Sequence, residues 1–137
     1  MRLFKALLLL SLTLIALSRL TGFAISADRS KELLDKAARD YVLHGSIQAS
    51  EGRDEEAIRS FQEAVKLKPD WAEAYSLLGS ALAKAGKRAE AEAALRRAVA
   101  LKPDYSEGYY YLGLFLQELG REQEAQEAFR KAKQYQK

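Results

Sequence analysis

The residues able to carry out covalent or metal chemistry are few and scattered. The 137-residue chain has no cysteine and one histidine, His44. Thiol nucleophiles, disulfides, cysteine-based zinc sites and any array needing a second histidine are therefore excluded. Carboxylates are plentiful, but Glu56, Glu90 and Glu124 recur at a fixed spacing of 34 residues. Each opens a segment of helical periodicity, where the helix dipole favours negative charge without any catalytic role. His44 shares a helix face with Gln48, which reads as a hydrogen-bonded polar pair rather than a ligand set. What remains is the chemistry of recognition. Tyr105, Tyr109, Tyr110, Tyr111, Leu112, Leu114, Phe115, Leu116 and Leu119 make one segment apolar nearly all round. Packing accounts for Tyr109, Leu112, Phe115, Leu116 and Leu119, leaving Tyr110, Tyr111 and Leu114 as an exposed surface of the kind that marks an interface. No enzymatic activity, cofactor or metal is expected.

Charge points the same way. The net charge of +3 and the pI near 9.1 arise wholly before Asp28, where Arg2, Lys5 and Arg19 are the only charged residues. Residues 28–137 balance 19 basic against 19 acidic side chains, so the basic pI gives no support to nucleic-acid binding. The cluster Lys87, Arg88, Arg96 and Arg97 is offset by Glu90 and Glu92 and reads as a solvated outer face.

The element that precedes the recognition segments is a leader. In Ala6–Leu17 ten of twelve residues are apolar, behind Arg2 and Lys5, which is the layout of an export signal. Twelve helical residues span about 18 Å, against a hydrocarbon core of about 30 Å. Extending the run to residue 25 places Arg19 inside it. Small-x-small sites at Gly22-Phe23-Ala24 and Ala24-Ile25-Ser26 suit cleavage. Residues 1–27 are thus expected to be a signal peptide or an N-terminal anchor, with residues 6–25 as a possible membrane tether. Either way the remainder lies outside the cytoplasm, periplasmic or otherwise extracytoplasmic. With no cysteine, lipoprotein anchoring is excluded.

The elements that carry the aromatic segment repeat. Shifted by 34 residues, Gly45, Gly79 and Gly113 align, as do Gly52, Gly86 and Gly120. So do Tyr41, Tyr75 and Tyr109; Ala57, Ala91 and Ala125; Phe61, Leu95 and Phe129; and Ala64, Ala98 and Ala132. Leu67-Lys68-Pro69-Asp70 returns as Leu101-Lys102-Pro103-Asp104. Each period reads as two helices. Asp70-x2-Glu73 and Asp104-x2-Glu107 after a proline resemble capping boxes that start the first helix. Gly52, Gly86 and Gly120 end it. Gly45, Gly79 and Gly113, with Ala57, Ala91 and Ala125, let the two helices of a hairpin approach. One hairpin cannot bury both faces, so stacking supplies stability. Asp28–Ala37 extends the first helix, with Leu33, Leu34 and Ala37 as an apolar stripe. Trp71 and Tyr105 fall at equivalent junctions and read as inter-repeat packing.

This pattern resembles the tetratricopeptide repeat family, whose motif runs large apolar-x2-Leu-Gly-x2-Tyr/Leu, Ala-x3-Phe, Pro. Here it reads Tyr75-x2-Leu78-Gly79-x2-Leu82, Ala91-x3-Leu95 and Pro103, then Tyr109-x2-Leu112-Gly113-x2-Leu116 and Ala125-x3-Phe129. In the first repeat His44 and Gln48 replace the two leucines. The resemblance covers Ala38–Lys137. It implies an all-α, right-handed superhelical solenoid of three 34-residue helix-turn-helix repeats at 38–71, 72–105 and 106–137, preceded by the extension at 28–37. The family usually adds a polar solvating helix after its last repeat; here the polar final helix, Glu122–Gln136, is expected to cap its own stack.

The resemblance also implies binding of a protein or peptide, by a concave groove lined by the first helices. By register the groove would present Val42, Leu43 and Ser46; Leu77, Ser80 and Lys84; and Tyr110, Tyr111, Leu114 and Gln117. Arg39, Glu73, Ser76 and Glu107 share that face. Members that grip acidic C-terminal tails use Lys, Asn and Arg there. Val42, Ser46, Ser76, Ser80, Tyr110 and Leu114 stand in those places, so that specificity is not expected. An adaptor or assembly factor is the leading expectation; a self-associating scaffold or fixed subunit of an envelope complex, hence a homo-oligomer, is the alternative.

Overall fold

The computed structural model describes the backbone of residues 2–136 and the side chains of residues 26–136. The expected export signal or anchor therefore lies almost wholly outside the described side chains. Six helices follow one another: α1 (Arg2–Ser50), α2 (Asp54–Leu67), α3 (Ala72–Lys84), α4 (Arg88–Leu101), α5 (Ser106–Glu118) and α6 (Glu122–Gln134). Among the described residues there is no strand, and no helix is long and apolar enough to cross a membrane. The chain divides into two units, Met1–Asp35 and Lys36–Lys137. The repeats occupy the second.

The helix ends follow local chemistry. Gly52, Gly86 and Gly120 have φ of +75°, +76° and +72°, the left-handed region that glycine enters without steric penalty. The next residue's N–H then donates to a carbonyl five positions back: Arg53 to Gln48, Lys87 to Leu82 and Arg121 to Leu116, each at 2.9 Å. This Schellman arrangement satisfies carbonyls that the helix end would orphan. Glu56, Glu90 and Glu124 lie in the first turns of α2, α4 and α6. The expected capping boxes do not form. The residues that cap α3 and α5 are Trp71 and Tyr105, without side-chain capping bonds. Asp70 and Asp104 lie one residue too early, in the turn that follows each proline.

Packing is set by small residues. Ala57, Ala91 and Ala125 are completely buried. A Cβ on Gly45, Gly79 or Gly113 would lie 2.7, 2.6 and 2.6 Å from Phe61, Leu95 and Phe129 respectively, so the large residue of each second helix fills the space that the glycine leaves. The core runs continuously through Phe61, Leu78, Leu82, Leu95, Leu112, Phe115 and Leu116. Leu33 and Leu34, by contrast, are 62% and 49% exposed.

The surface between α4 and α6 carries an ion-pair network. Glu92 accepts from Arg96 Nε at 2.8 Å and from Arg121 Nη1 at 2.9 Å. Glu124 accepts from Arg96 at 3.0 Å and from Arg121 at 2.7 Å. Arg96 is thus part of a four-charge bridge between repeats.

Candidate functional site

The first helices place the candidate residues in three environments. Between α3 and α5 runs an open groove of about 420 Å³, lined by Ser80, Ala83, Lys84, Leu95, Tyr111, Leu114, Phe115, Gln117 and Glu118. The structure therefore brings together Ser80, Lys84, Tyr111, Leu114 and Gln117. Leu114 is 41% exposed there, above a floor of buried Leu95 and Phe115. Helical spacing explains the grouping: residues 80 and 84 lie one turn apart on α3, and residues 111, 114 and 118 share the facing side of α5.

The remaining candidates lie elsewhere. Leu77 and Val42 are half-buried and pack against the core. Leu43 is 60% exposed on α1, and the Ser46 hydroxyl donates to the Val42 carbonyl at 2.8 Å. Neither lines the α3–α5 groove. Ser76 belongs to the interior: it is completely buried, and its hydroxyl lies beside the Tyr105 phenol, too loosely placed to make a full hydrogen bond. Helix α5 packs against α3, and Tyr105, just ahead of α5, lies next to Ser76.

Tyr110 does not face the α3–α5 groove either. Its ring packs 5.9 Å from that of Phe129, and it lines a cavity of about 900 Å³ with Tyr105, Tyr111, Phe129, Ala132 and Tyr135. Tyr110 is half exposed there. Helix α6 packs along one side of α5, and this cavity lies between their ends. The 34-residue register could have revealed the cavity. Tyr110, Phe129 and Tyr135 stand where repeat two has Ser76, Leu95 and Leu101.

At the other end the expected His44–Gln48 pair is replaced by a different network. The Ser60 hydroxyl donates to Gln48 Oε1 at 2.7 Å, and Gln48 Nε2 donates to Glu56 Oε2 at 3.3 Å. His44 is exposed and borders a cavity of about 330 Å³ with Ala37, Asp40, Tyr41 and Ser60.

The electrostatics around these faces are modest. Burial would raise the Glu73 carboxyl, but the Lys102 ammonium at 2.9 Å outweighs it and holds the group below its ordinary range. The Tyr105 phenol is pushed up to about 12, first by burial and then by the charges of Glu73 and Glu107. Lys102 also lies 5.0 Å from the centre of the Tyr105 ring. A neutral phenol beneath a paired lysine is a packing element rather than an acid or base at physiological pH.

A family model described as TPR repeat matches residues 45–86, and one described as tetratricopeptide repeat matches residues 76–137. No curated protein matches the chain. Among solved structures, that of MamA is 32% identical, with a TM-score of 0.67 over 86% of this chain and 71% of that one. The second TPR of Spaghetti (RPAP3), bound to the HSP90 peptide SRMEEVD, is 22% identical, with a TM-score of 0.73 over 79% and 99%. The Arabidopsis OM64 TPR domain is also 22% identical, with a TM-score of 0.70 over 75% and 85%. The last two likenesses concern the fold alone.

Proposed function

Because the chain belongs to the tetratricopeptide repeat family, we propose that it is a non-enzymatic interaction module that binds an extended segment of another protein between α3 and α5. The observation that carries this reading is the groove itself, which sets partly exposed Leu114 and Tyr111 over an apolar floor and rims them with Ser80, Lys84 and Gln117. A few polar groups around an apolar cleft orient a ligand while burial supplies affinity. The Spaghetti repeats hold an acidic HSP90 peptide. Here the groove is lined by Ser80, Tyr111, Leu114 and Gln117, with Lys84 as the one cation among its lining residues and Glu118 beside it, so the segment preferred is one with apolar or aromatic side chains. Selection from a displayed peptide library by the full chain tests this: recovered peptides should share such anchors, and Leu114→Glu should lower their affinity at least tenfold, about 1.4 kcal/mol. Enrichment of acidic C-terminal tails, or binding indifferent to Leu114→Glu, would refute the assignment.

The leader adds a location to this reading. An apolar run of twelve residues behind Arg2 and Lys5 supports delivery of the repeats out of the cytoplasm, by a cleaved signal or a retained anchor. Fractionation followed by N-terminal sequencing should recover the protein in the envelope or exported fraction. A protein confined to the cytosol with its leader intact contradicts it.

A further inference from the structure

The α3–α5 groove carries two charges that the fold leaves unpaired. Lys84 and Glu118 both line it, both are exposed, and they hold the same position in successive repeats. Elsewhere the repeats pair charges across their junctions: Lys87 with Glu55 at 3.0 Å, Arg96 with Glu124 at 3.0 Å and Arg121 with Glu92 at 2.9 Å. Among the described residues Lys84 and Glu118 make no ion pair or side-chain hydrogen bond, with each other or with a third group.

Local physics accounts for only one of the two. A helix C-terminus carries partial negative charge and favours a cation. Lys84 lies in the last turn of α3 and meets that preference. Glu118 ends α5, whose last turn has no basic residue to offset it. A carboxylate there is opposed by the helix dipole and relieved by no ion pair, so it costs the fold stability. Residues that break a local rule without structural compensation are expected at functional positions.

The geometry of the groove indicates what the two charges meet. Ser80 and Leu114 lie one turn ahead of Lys84 and Glu118 on their helices, above the floor of Leu95 and Phe115. Packed helices lie about 8–10 Å apart, and an extended segment advances about 3.3 Å per residue. A segment laid across α3 and α5 therefore passes from Lys84 to Glu118 in about three residues. Two acids at that separation would set one against Glu118, and two bases would set one against Lys84.

We propose that the occupant is a segment whose apolar or aromatic anchor is accompanied by an acidic and a basic residue about three positions apart, the acid facing Lys84 and the base facing Glu118. This rests on the groove reading above and adds the charge pattern by which the groove chooses among apolar segments. Exposed pairs contribute little affinity. Burial of the anchor therefore holds the segment, while the charges set its register and reject segments of a single sign.

A displayed library with the anchor fixed and its flanks randomised, selected by the full chain, reads the pattern. The wild type should enrich one acid and one base. Lys84→Glu should shift the enrichment to two bases and Glu118→Lys to two acids, whichever way the segment runs. A synthetic peptide of the wild-type pattern should bind either variant roughly fivefold more weakly, because a surface attraction becomes a repulsion, and about 0.5 M salt should shrink the difference. Glu118→Lys should also raise the thermal midpoint, so that binding and stability move in opposite directions, which a purely structural glutamate would not produce. Flanks indifferent to charge, or the same flanks enriched by all three chains, would overturn the charge pattern and leave the groove standing. Recovery of no peptide, or binding unchanged by Leu114→Glu, would remove the groove and the pattern together. Concentration-dependent mass abolished by Leu114→Glu would place a second copy in the groove, which also overturns the pattern.

Discussion

The Ser76 hydroxyl is completely buried and has only a loose contact with the Tyr105 phenol in place of a full hydrogen bond. A buried donor without a full hydrogen bond forfeits its hydration and gains little in return, a loss of about 1–3 kcal/mol. Ser76→Ala removes the hydroxyl and little else, so its thermal midpoint should exceed that of the wild type, with a gain of about 1 kcal/mol. A lower midpoint would mean that a bridging water or a rotated neighbour satisfies the group. The sequence suggested the reverse for this residue. Its polarity and register placed it on the groove face, because a helical wheel assigns directions and cannot show what packs above a residue.

At the scale of elements, local rules explain the helix ends better than the helix starts. The positive φ at Gly52, Gly86 and Gly120 was legible because few residues other than glycine take that conformation readily. The starts of α3 and α5 were legible only to within a residue or two. Pro-Asp-x2-Glu has the form of a capping box, yet the turn consumes the aspartate, and Trp71 and Tyr105 take the capping positions without side-chain bonds. It follows that Asp70→Ala should change stability by less than about 0.5 kcal/mol, against about 1 kcal/mol for a true cap. Denaturant titration of the two chains measures the difference, and a loss near 1 kcal/mol would restore the capping box.

Across the whole molecule, the Arg96–Glu92–Arg121–Glu124 bridge ties the junction of the second and third repeats to pH. The hydrogen bond from Arg96 outweighs the opposing effect of burial and, with the hydrogen bond from Arg121 and the charges of both arginines, holds Glu92 below its ordinary value of 4.5. A carboxylate depressed in the folded state contributes its full stability above the unfolded value and loses it as pH falls through the folded one. The thermal midpoint should therefore drop below about pH 4.5, and Glu92→Gln should flatten that drop while lowering the midpoint near neutrality. Equal slopes in calorimetry of the two chains would remove the bridge from the account. The sequence by itself determined the repeat, its period, its small-residue contacts and the all-α architecture, because a 34-residue recurrence of glycine, alanine and aromatic positions leaves little choice of local structure or of what must touch what. Tertiary structure alone decided which partly apolar residues remain in water. Ser76 and Tyr110 occupy the same position in successive repeats, and one is completely buried while the other is half exposed. Exposure depends on what packs over the position in three dimensions, and no local pattern of residues contains that information.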